Sequence, residues 1–268
     1  MLFSVSLCLC LILPGLADRL EAKDCSSANE MAVVRPCVTY RFSSEEEKKA
    51  KEDLVKERNL KPDLNQAWVR AERWWEGQNN TLKKEHAIAL YAYTLKTPLH
   101  KDFNSELRKY LANNQTYNES FPYKSLHYYL SAALEELRSK QGGGRSITLY
   151  RGCPCTYSLN VNENKQFEMF TSSSGDKSVA EGFAKGETLF LITTILGVSI
   201  KDYSASPEQD EWLIPPCSPF LVTKKTGKED IQVLGKPRMQ IFLSSGIALS
   251  PTITLLITVL LTQCRFFW

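Results

Sequence analysis

The chain has 268 residues, and its 33 Lys and Arg nearly balance its 30 Asp and Glu, which leaves a formal net charge of +3. Because the basic residues form no stripe among aromatic ones, the sequence indicates neither nucleic-acid binding nor a preference for membrane surfaces. Its three histidines, His86, His100 and His127, include no pair with metal-ligand spacing, so we expect no metal site.

Both ends of the sequence are apolar, and they predict export and anchoring. Residues 1–17 form an apolar run that finishes in small residues, as a secretory signal peptide does. Residues 246–268 carry a hydrophobic tail preceded by small residues, which is the pattern of a GPI-anchor signal. A retained membrane-spanning helix is the alternative, although few basic residues follow the tail. We expect one domain over 18–245, either secreted or held at the extracellular face of the cell membrane.

The cysteines and the glycosylation motifs fit the same compartment. Five cysteines lie outside the terminal segments, namely Cys25, Cys37, Cys153, Cys155 and Cys217. In an oxidising compartment we expect two disulfides and one remaining thiol, in a pairing that the sequence does not determine. Three acceptors for N-glycosylation should lie at the surface, at Asn79, Asn114 and Asn118.

The first part of the domain, 18–140, is predicted to be mainly helical. Ser44 and Glu47 have the spacing of a capping box, and Pro62 is a favourable first residue for the next helix. Later helices are predicted from apolar residues that recur on one helical face. They cover 85–93, 103–110 and 125–139.

The second part, 141–245, begins at a run of three glycines and is predicted to be mainly β. Short segments rich in β-branched and aromatic residues alternate with turns, and one brief helix is expected over 178–184. The predicted strands cover 147–150, 167–171, 189–194, 212–214, 231–234 and 240–243. Helices first and strands later predict an α+β fold, and no Gly-x-Gly-x-x-Gly fingerprint follows a strand.

Three polar motifs, far apart in the sequence, contain residues suited to one ligand. Cleaving the bond between nicotinamide and ribose in NAD creates a cation-like sugar, as glycoside hydrolysis does. Arg151 could hold the pyrophosphate, Ser172 could orient the ribose, and Glu211 could stabilise the positive charge. Gln209 would reach the same ligand if it shared a β-strand with Glu211, since residues two apart face the same way. Taken singly, each residue has another explanation: Arg151 could form a surface ion pair, Ser172 could form a turn, and Glu211 could be a solvated charge.

The motifs Leu-Tyr-Arg-Gly, Phe-Thr-Ser-Ser-Ser and Gln-Asp-Glu-Trp-Leu-Ile-Pro-Pro occur in this order. With them the chain resembles the ecto-ADP-ribosyltransferases, which are secreted or lipid-anchored mono-ADP-ribosyltransferases with an Arg–Ser–Glu site. Segments 92–94, 102–104 and 121–130 in the helical part also resemble this family. The resemblance implies a helical N-terminal subdomain packed on a two-sheet β core. It also implies that NAD is the substrate, without a metal.

The resemblance assigns a role to each site residue. Arg151, Ser172 and Glu211 would be catalytic, and Phe183 would pack on the nicotinamide ring. Residues on the acceptor side would be Gln209 and Tyr203. The residues that contact NAD would be Tyr150, Arg151, Gly152, Ser172, Phe183 and Glu211.

One residue departs from the pattern of the arginine-specific members. They carry Glu-x-Glu, and this chain has Gln209 in place of the first glutamate. A neutral amide donates and accepts hydrogen bonds but cannot act as a general base. We therefore expect transfer of ADP-ribose from NAD to a protein side chain (arginine by family) or to water. NAD glycohydrolase activity alone is one alternative, and a non-catalytic cell-surface binding module is another.

Overall fold

The structure is a computed structural model of the chain, and it describes residues 31–78, 81–226, 230–235 and 240–242. The predicted signal peptide, the C-terminal tail, Cys25 and Asn79 lie outside these residues. Among the helices described, none is long and apolar enough to cross a membrane.

Six α-helices form the first half of the described chain, after two short strands, β1 (Met31–Val33) and β2 (Cys37–Thr39). The helices are α1 (Ser44–Leu60), α2 (Pro62–Glu76), α3 (Lys84–Thr94), α4 (Leu99–Tyr110), α5 (Asn114–Ser120) and α6 (Lys124–Lys140). Helix α5 is absent from the sequence prediction. It forms because the side chain of Asn113 caps it, accepting the N–H of Thr116 at 3.1 Å, and because Tyr117 is buried beneath it.

The capping box of α1 lies one residue earlier than predicted. Ser43, not Ser44, is the N-cap: its hydroxyl accepts the N–H of Glu46 at 3.2 Å, and Glu46 accepts the N–H of Ser43 at 3.2 Å. The sequence contains two overlapping Ser-x-x-Glu motifs, and the first serine has the extended backbone that an N-cap needs. Pro62 is the first residue of α2, as predicted.

The second half of the described chain contains nine strands, one α-helix and two short 3-10 helices. The strands are β3 (Ile147–Cys153), β4 (Asn164–Phe167), β5 (Thr171–Ser174), β6 (Thr188–Thr194), β7 (Val198–Ser199), β8 (Glu211–Ile214), β9 (Ser218–Thr226), β10 (Asp230–Gly235) and β11 (Gln240–Phe242). Helix α7 (Lys177–Ala184) connects β5 to β6. The fold is α+β, as predicted.

The single strand predicted over 167–171 is wrong, because the chain forms two strands there, β4 and β5. Strand β4 pairs with β9, whereas β5 pairs with β8. The residues between them leave the sheet: Glu168 accepts a hydrogen bond from Arg35 at 2.8 Å, and Phe170 is buried among the helices. The apolar character of this segment therefore reflects burial in two different cores.

Nine strands form one sheet in the order β1-β4-β9-β10-β6-β3-β5-β8-β7, and β2 pairs with β11 in a separate small sheet. Strand β3 pairs with β6 over its whole length, Ile147 to Cys153. It meets β5 in register only at Tyr150 and Ser174. The nine strands thus form two segments joined at β3, which accounts for the expected two-sheet core.

Each segment of the sheet has its own hydrophobic core. Phe167, Phe190 and Phe220 are fully buried in the core beside β3, β4, β6, β9 and β10. The β5-β8-β7 segment instead packs on the helices, where Phe170 lies 5.8 Å from the ring of Phe103. Burial of such large rings is the main source of stability at both interfaces.

A disulfide links Cys37 in β2 to Cys217, which precedes β9. Cys155 is disulfide-bonded as well. The side chain of Cys153 is buried, and its Sγ accepts a hydrogen bond from the hydroxyl of Tyr157. The bridge from β2 brings the N-terminal strand region to the end of the Gln-Asp-Glu-Trp motif.

A buried carboxyl group joins α1 to the start of α6. Both oxygens of Glu57 accept the N–H of Ser125, at 3.2 and 3.3 Å, and the hydroxyl of Ser125 donates to Oε2. Burial raises the pKa of Glu57 to about 7, although the hydrogen bonds from Ser125 act in the opposite direction.

Stability is expected to fall as the pH rises from about 4.5 to about 7, because folded Glu57 holds a proton there that the unfolded chain has lost. The loss is at most of the order of 3 kcal/mol. The variant Glu57→Gln should lack this component. Chemical unfolding at several pH values measures the difference in free energy of unfolding between the two proteins. Other titrating groups, such as His86 and His100, are present in both proteins, so their effects cancel in this difference. Equal pH dependence of the two proteins would contradict the assignment.

Candidate active site

A cavity opens where the two segments of the sheet separate, between β3 and β5 on one side and α3 and α4 on the other. It has a smaller recess of about 150 Å³ and a larger one of about 530 Å³. Together they have the size that is usual for sites of small organic ligands. The residues that line both recesses are Arg151, Gly152, Ser172, Phe183, Gln209 and Glu211.

Arg151 lies on β3 at the junction of the two segments. Its Nη1 donates to the carbonyl oxygen of Ser172 at 2.9 Å. This bond ties β3 to β5 just beyond the one register pair that the strands share. It also leaves a half-buried guanidinium at the wall of the cavity, where an anionic group of a ligand would find a fixed cation.

Ser172 lies on β5, next to a buried tyrosine from the helical half. The hydroxyl of Tyr93 donates to the carbonyl of Phe170 at 3.1 Å and accepts from Nδ2 of Asn104 at 2.9 Å. Burial raises the pKa of Tyr93 to about 12, while the side chains of Asn104 and Ser172 act in the opposite direction. The position of Ser172 is therefore set from α3 and α4 as well as from the sheet.

Glu211 is the first residue of β8, and its carboxylate faces two serine hydroxyls. The hydroxyl of Ser204 donates to Oε2 at 2.8 Å, and Ser172 lines the same cavity from β5. Burial raises the pKa of Glu211 above its ordinary value, while the side chains of Ser204 and Ser172 act in the opposite direction. The site thus holds a carboxylate in a desolvated position with donors arranged to favour its charged form.

Gln209 and Glu211 line the same cavity, but not for the predicted reason. Gln209 ends a short 3-10 helix, Pro207–Gln209, and Asp210 has a left-handed backbone with φ of 44°. The strand begins only at Glu211, so the alternation of side chains along a strand does not apply. The turn is held in place by Ser174, whose hydroxyl donates to the carbonyl of Gln209 at 2.7 Å.

Gly152 allows α7 to lie directly against β3. A Cβ at Gly152 would lie 1.8 Å from the carbonyl oxygen of Ala180 and 2.5 Å from the N of Ala184. The close approach brings Phe183 on α7 to the cavity, where 53% of the residue's surface is exposed. Tyr150 lines the smaller recess from β3.

The geometry is accompanied by a match to a known family. The family model for NAD:arginine ADP-ribosyltransferase (ART) matches residues 40–239. The chain belongs to this family.

Relatives and solved structures agree with this membership. Erythroblast NAD(P)(+)--arginine ADP-ribosyltransferase of Gallus gallus is 38% identical over 156 residues, which are 57% of this chain and 51% of the relative. Human ecto-ADP-ribosyltransferase 5 is 33% identical over 198 residues, 69% of this chain and 68% of the relative. A crystal structure of a mutant of the mono-ADP-ribosyltransferase ART2.2 in complex with NAD has a TM-score of 0.65 and 30% identity, covering 76% of this chain and 95% of that one. The chain spans about half the length of the first of these curated relatives.

Tyr203, predicted on the acceptor side, lies away from the lining of the cavity. Tyr203 is the last residue of the 3-10 helix Lys201–Tyr203. It is buried against the helical core, with only 6% of the residue exposed. Its hydroxyl hydrogen-bonds Thr81 at 3.1 Å, and Tyr203 lines neither recess. The turn that contains Tyr203 packs on α3.

Three polar residues at the site were not predicted as site residues from the sequence, namely Tyr93, Asn104 and Ser204. Tyr93 and Asn104 belong to segments that carried the family resemblance, so the resemblance was the available signal for them. Ser204 had none, because a serine in a turn is common. The larger recess is also lined by basic groups from α4 and the loop before it, namely Lys96, His100, Lys101 and Arg108.

Two of the three predicted glycosylation acceptors lie within the described residues, both in α5. Asn118 is exposed and Asn114 is half-buried, with Nδ2 of Asn118 donating to Oδ1 of Asn114 at 3.1 Å. Throughout the part of the chain that the structure describes, no group of His, Cys, Asp and Glu is arranged to hold a metal ion.

Proposed function

We propose that this protein is an extracellular NAD-consuming mono-ADP-ribosyltransferase. It cleaves the bond between nicotinamide and ribose and transfers ADP-ribose to a protein side chain or to water. The observation that carries the proposal is that Arg151, Ser172 and Glu211, from three distant motifs, line one cavity. The family match and the NAD complex of an ART2.2 mutant support NAD as the substrate.

The two recesses suit the two ends of the dinucleotide. In the smaller recess, the exposed ring of Phe183 offers a stacking surface for nicotinamide, beside Tyr150 and Gly152. Arg151 stands at the junction, where its guanidinium binds the pyrophosphate. The larger recess, with its basic rim, accommodates the adenosine part.

Glu211 acts on the charge that develops during cleavage. The bond from ribose C1′ to the nicotinamide nitrogen breaks, and its electron pair neutralises the pyridinium ring. Positive charge then develops on the sugar, and the Glu211 carboxylate stabilises it, more strongly because it is partly desolvated. The acceptor adds to C1′ and releases a proton, which gives the ADP-ribosylated product or free ADP-ribose.

Gln209 governs which acceptor reacts. Its amide can hydrogen-bond an incoming guanidinium or water, but it cannot take the proton that the acceptor loses. Arginine is the acceptor by family, and hydrolysis is favoured by this residue. Hydrolysis without transfer is therefore the second candidate function.

The direct test supplies NAD labelled in its adenine part, with and without an arginine analogue such as agmatine. Nicotinamide release with label in the analogue indicates transfer, and release with label only in ADP-ribose indicates hydrolysis. Intact NAD in both mixtures would contradict both activities and leave a non-catalytic binding module.

The variant Gln209→Glu is expected to raise transfer to agmatine relative to hydrolysis by about tenfold, since it supplies the missing general base. The measurement is the ratio of labelled agmatine to free ADP-ribose. Glu208→Gln is the matched control: it changes the charge of the same turn at an exposed residue that does not line the cavity. An unchanged ratio in Gln209→Glu, or an equal change in Glu208→Gln, would contradict the role of Gln209.

The cell-surface location is part of the same proposal. Related proteins are named ecto-ADP-ribosyltransferases, and the disulfides fit an oxidising compartment. We place the signal peptide at 1–17, the GPI-anchor signal at 246–268, and glycans at Asn79, Asn114 and Asn118. Release of the protein from cells by a phosphatidylinositol-specific phospholipase, together with a mobility shift on deglycosylation, tests anchor and glycans separately.

A further inference from the structure

We propose that Ser204 is a positioning residue of this site, holding the Glu211 carboxylate in one orientation and in its ionised form. The inference rests on the proposed function, in which Glu211 stabilises the sugar cation. Neither the sequence motifs nor the family match assigns a role to this serine.

Ser204 contacts Glu211 across the turn that carries Gln209. It directly follows the 3-10 helix Lys201–Tyr203, and its side chain is buried, with 6% exposed. Its Oγ lies 2.8 Å from Oε2 of Glu211. A bond to one carboxylate oxygen stops the carboxylate from rotating, so the other oxygen keeps a fixed position at the cavity.

A second contact of the Ser204 hydroxyl leaves its proton available for Glu211. The backbone N–H of Ser206 donates to Oγ of Ser204 at 3.1 Å. A backbone N–H can only donate, so the hydroxyl accepts it with one lone pair; an ionised carboxylate can only accept, so the hydroxyl donates its proton to Glu211. A donated proton favours the ionised carboxylate, which opposes the effect of burial.

The helical half fixes the loop that carries Ser204. The N–H of Ala205 donates to Oγ1 of Thr94 at 2.9 Å, and Thr94 in turn donates to the carbonyl of Tyr91 at 3.0 Å. Ser204 is thus held by the end of α3, and its hydroxyl reaches Glu211 with little freedom to move. Such preorganisation is what a charge-stabilising site needs.

Other charged and titratable groups also face Glu211 and bear on its ionisation. Arg151 on β3 and Tyr93 on α3 line the same recess as Glu211. Across the larger recess lie basic groups, namely Lys96, His100, Lys101 and Arg108. These remain unchanged when Ser204 is replaced, so a comparison of variants isolates the hydroxyl.

The test compares Ser204→Ala with the wild-type protein in nicotinamide release from NAD. We expect kcat to fall about tenfold, with KM for NAD within about twofold, because the hydroxyl acts on the carboxylate that works in the transition state. The acidic limb of the pH–rate profile should move to higher pH, since the variant loses a donor to ionised Glu211. A merely structural role would not move that limb.

Ser218→Ala is the matched control. Ser218 is a buried serine that donates to the carbonyl of Pro215 at 2.6 Å and lines neither recess, so its loss should leave the pH profile unchanged. Ser204→Cys keeps the size of the side chain but is a weak donor. It should shift the limb in the same direction, and it replaces the alanine variant if that one does not fold.

Glu211→Gln, measured in parallel, separates the two proposals. Normal NAD cleavage by Glu211→Gln would overturn the proposed function. An inactive Glu211→Gln with a wild-type kcat and pH profile in both Ser204 variants would overturn only the role of Ser204.

Discussion

Glu211→Gln is expected to reduce nicotinamide release from NAD by about a thousandfold, the scale of losing a principal electrostatic group of a transition state. The Kd for NAD should change by less than about threefold, because the carboxylate acts mainly on charge that is absent from the ground state. Single-turnover measurements and calorimetric titration with NAD determine the two quantities.

The same variant should be at least as stable as the wild-type protein at neutral pH. Burial raises the pKa of Glu211, so the folded state releases its proton less readily than the unfolded chain does. Protonated Glu211 therefore contributes to stability below the ordinary pKa of a glutamate. This contribution is lost as the pH rises through the pKa of Glu211 in the folded state, so ionised Glu211 destabilises the fold. Replacing it by a neutral amide removes this cost, a common trade-off at active sites.

Glu57→Gln is the matched control for the measurement of NAD cleavage by Glu211→Gln. Glu57 is also a buried carboxyl group with a raised pKa, but it lies between α1 and α6 and lines neither recess. Its variant should keep the rate of NAD cleavage. Wild-type turnover in Glu211→Gln, or an equal loss in Glu57→Gln, would remove Glu211 from the mechanism.

The candidate site was predictable from the sequence where short motifs carry the chemistry. Arg151 ends a run of strand formers, Ser172 lies in a serine-rich segment, and Glu211 precedes Trp-Leu-Ile. Their types and order indicated one NAD site, and the structure brings them to one cavity. Gln209 also lies there, although Pro207 and the left-handed Asp210 form a turn, where a strand was assumed.

The parts of the fold that were missed depend on long-range packing. Strand β9 is nine residues long, yet its second residue is Pro219, which weakens any strand prediction. Its position between β4 and β10 explains why it forms nonetheless. Ser204 likewise gains its significance only from Glu211, which the turn brings back to it.

Gly152 shows a different limit of prediction from sequence. The family resemblance implied that Gly152 contacts NAD, but nothing in the sequence indicated that it sets the position of a helix. Any side chain at this residue collides with backbone atoms of α7, which cannot move aside as a flexible side chain can. The closest contact, 1.8 Å from the carbonyl oxygen of Ala180, is far inside the van der Waals separation. The helix as a whole must therefore shift.

Gly152→Ala is accordingly expected to lower the free energy of unfolding by about 1–3 kcal/mol. It should lower kcat/KM for NAD by about a hundredfold, because displacing α7 moves Phe183 away from the recess and disturbs Arg151 beside it. Thermal unfolding and NAD cleavage measured on the same preparations give both effects.

Gly182→Ala supplies the control on the same helix. A Cβ at Gly182 meets no atom within 4 Å, so the substitution adds only helix propensity and should stabilise α7 by about 0.5–1 kcal/mol. Opposite signs of the two alanine substitutions would show that contact with β3, and not glycine content, sets the position of α7. A Gly152→Ala protein with wild-type stability and activity would mean that α7 tolerates displacement, and the close approach of α7 to β3 would then not determine the shape of the smaller recess.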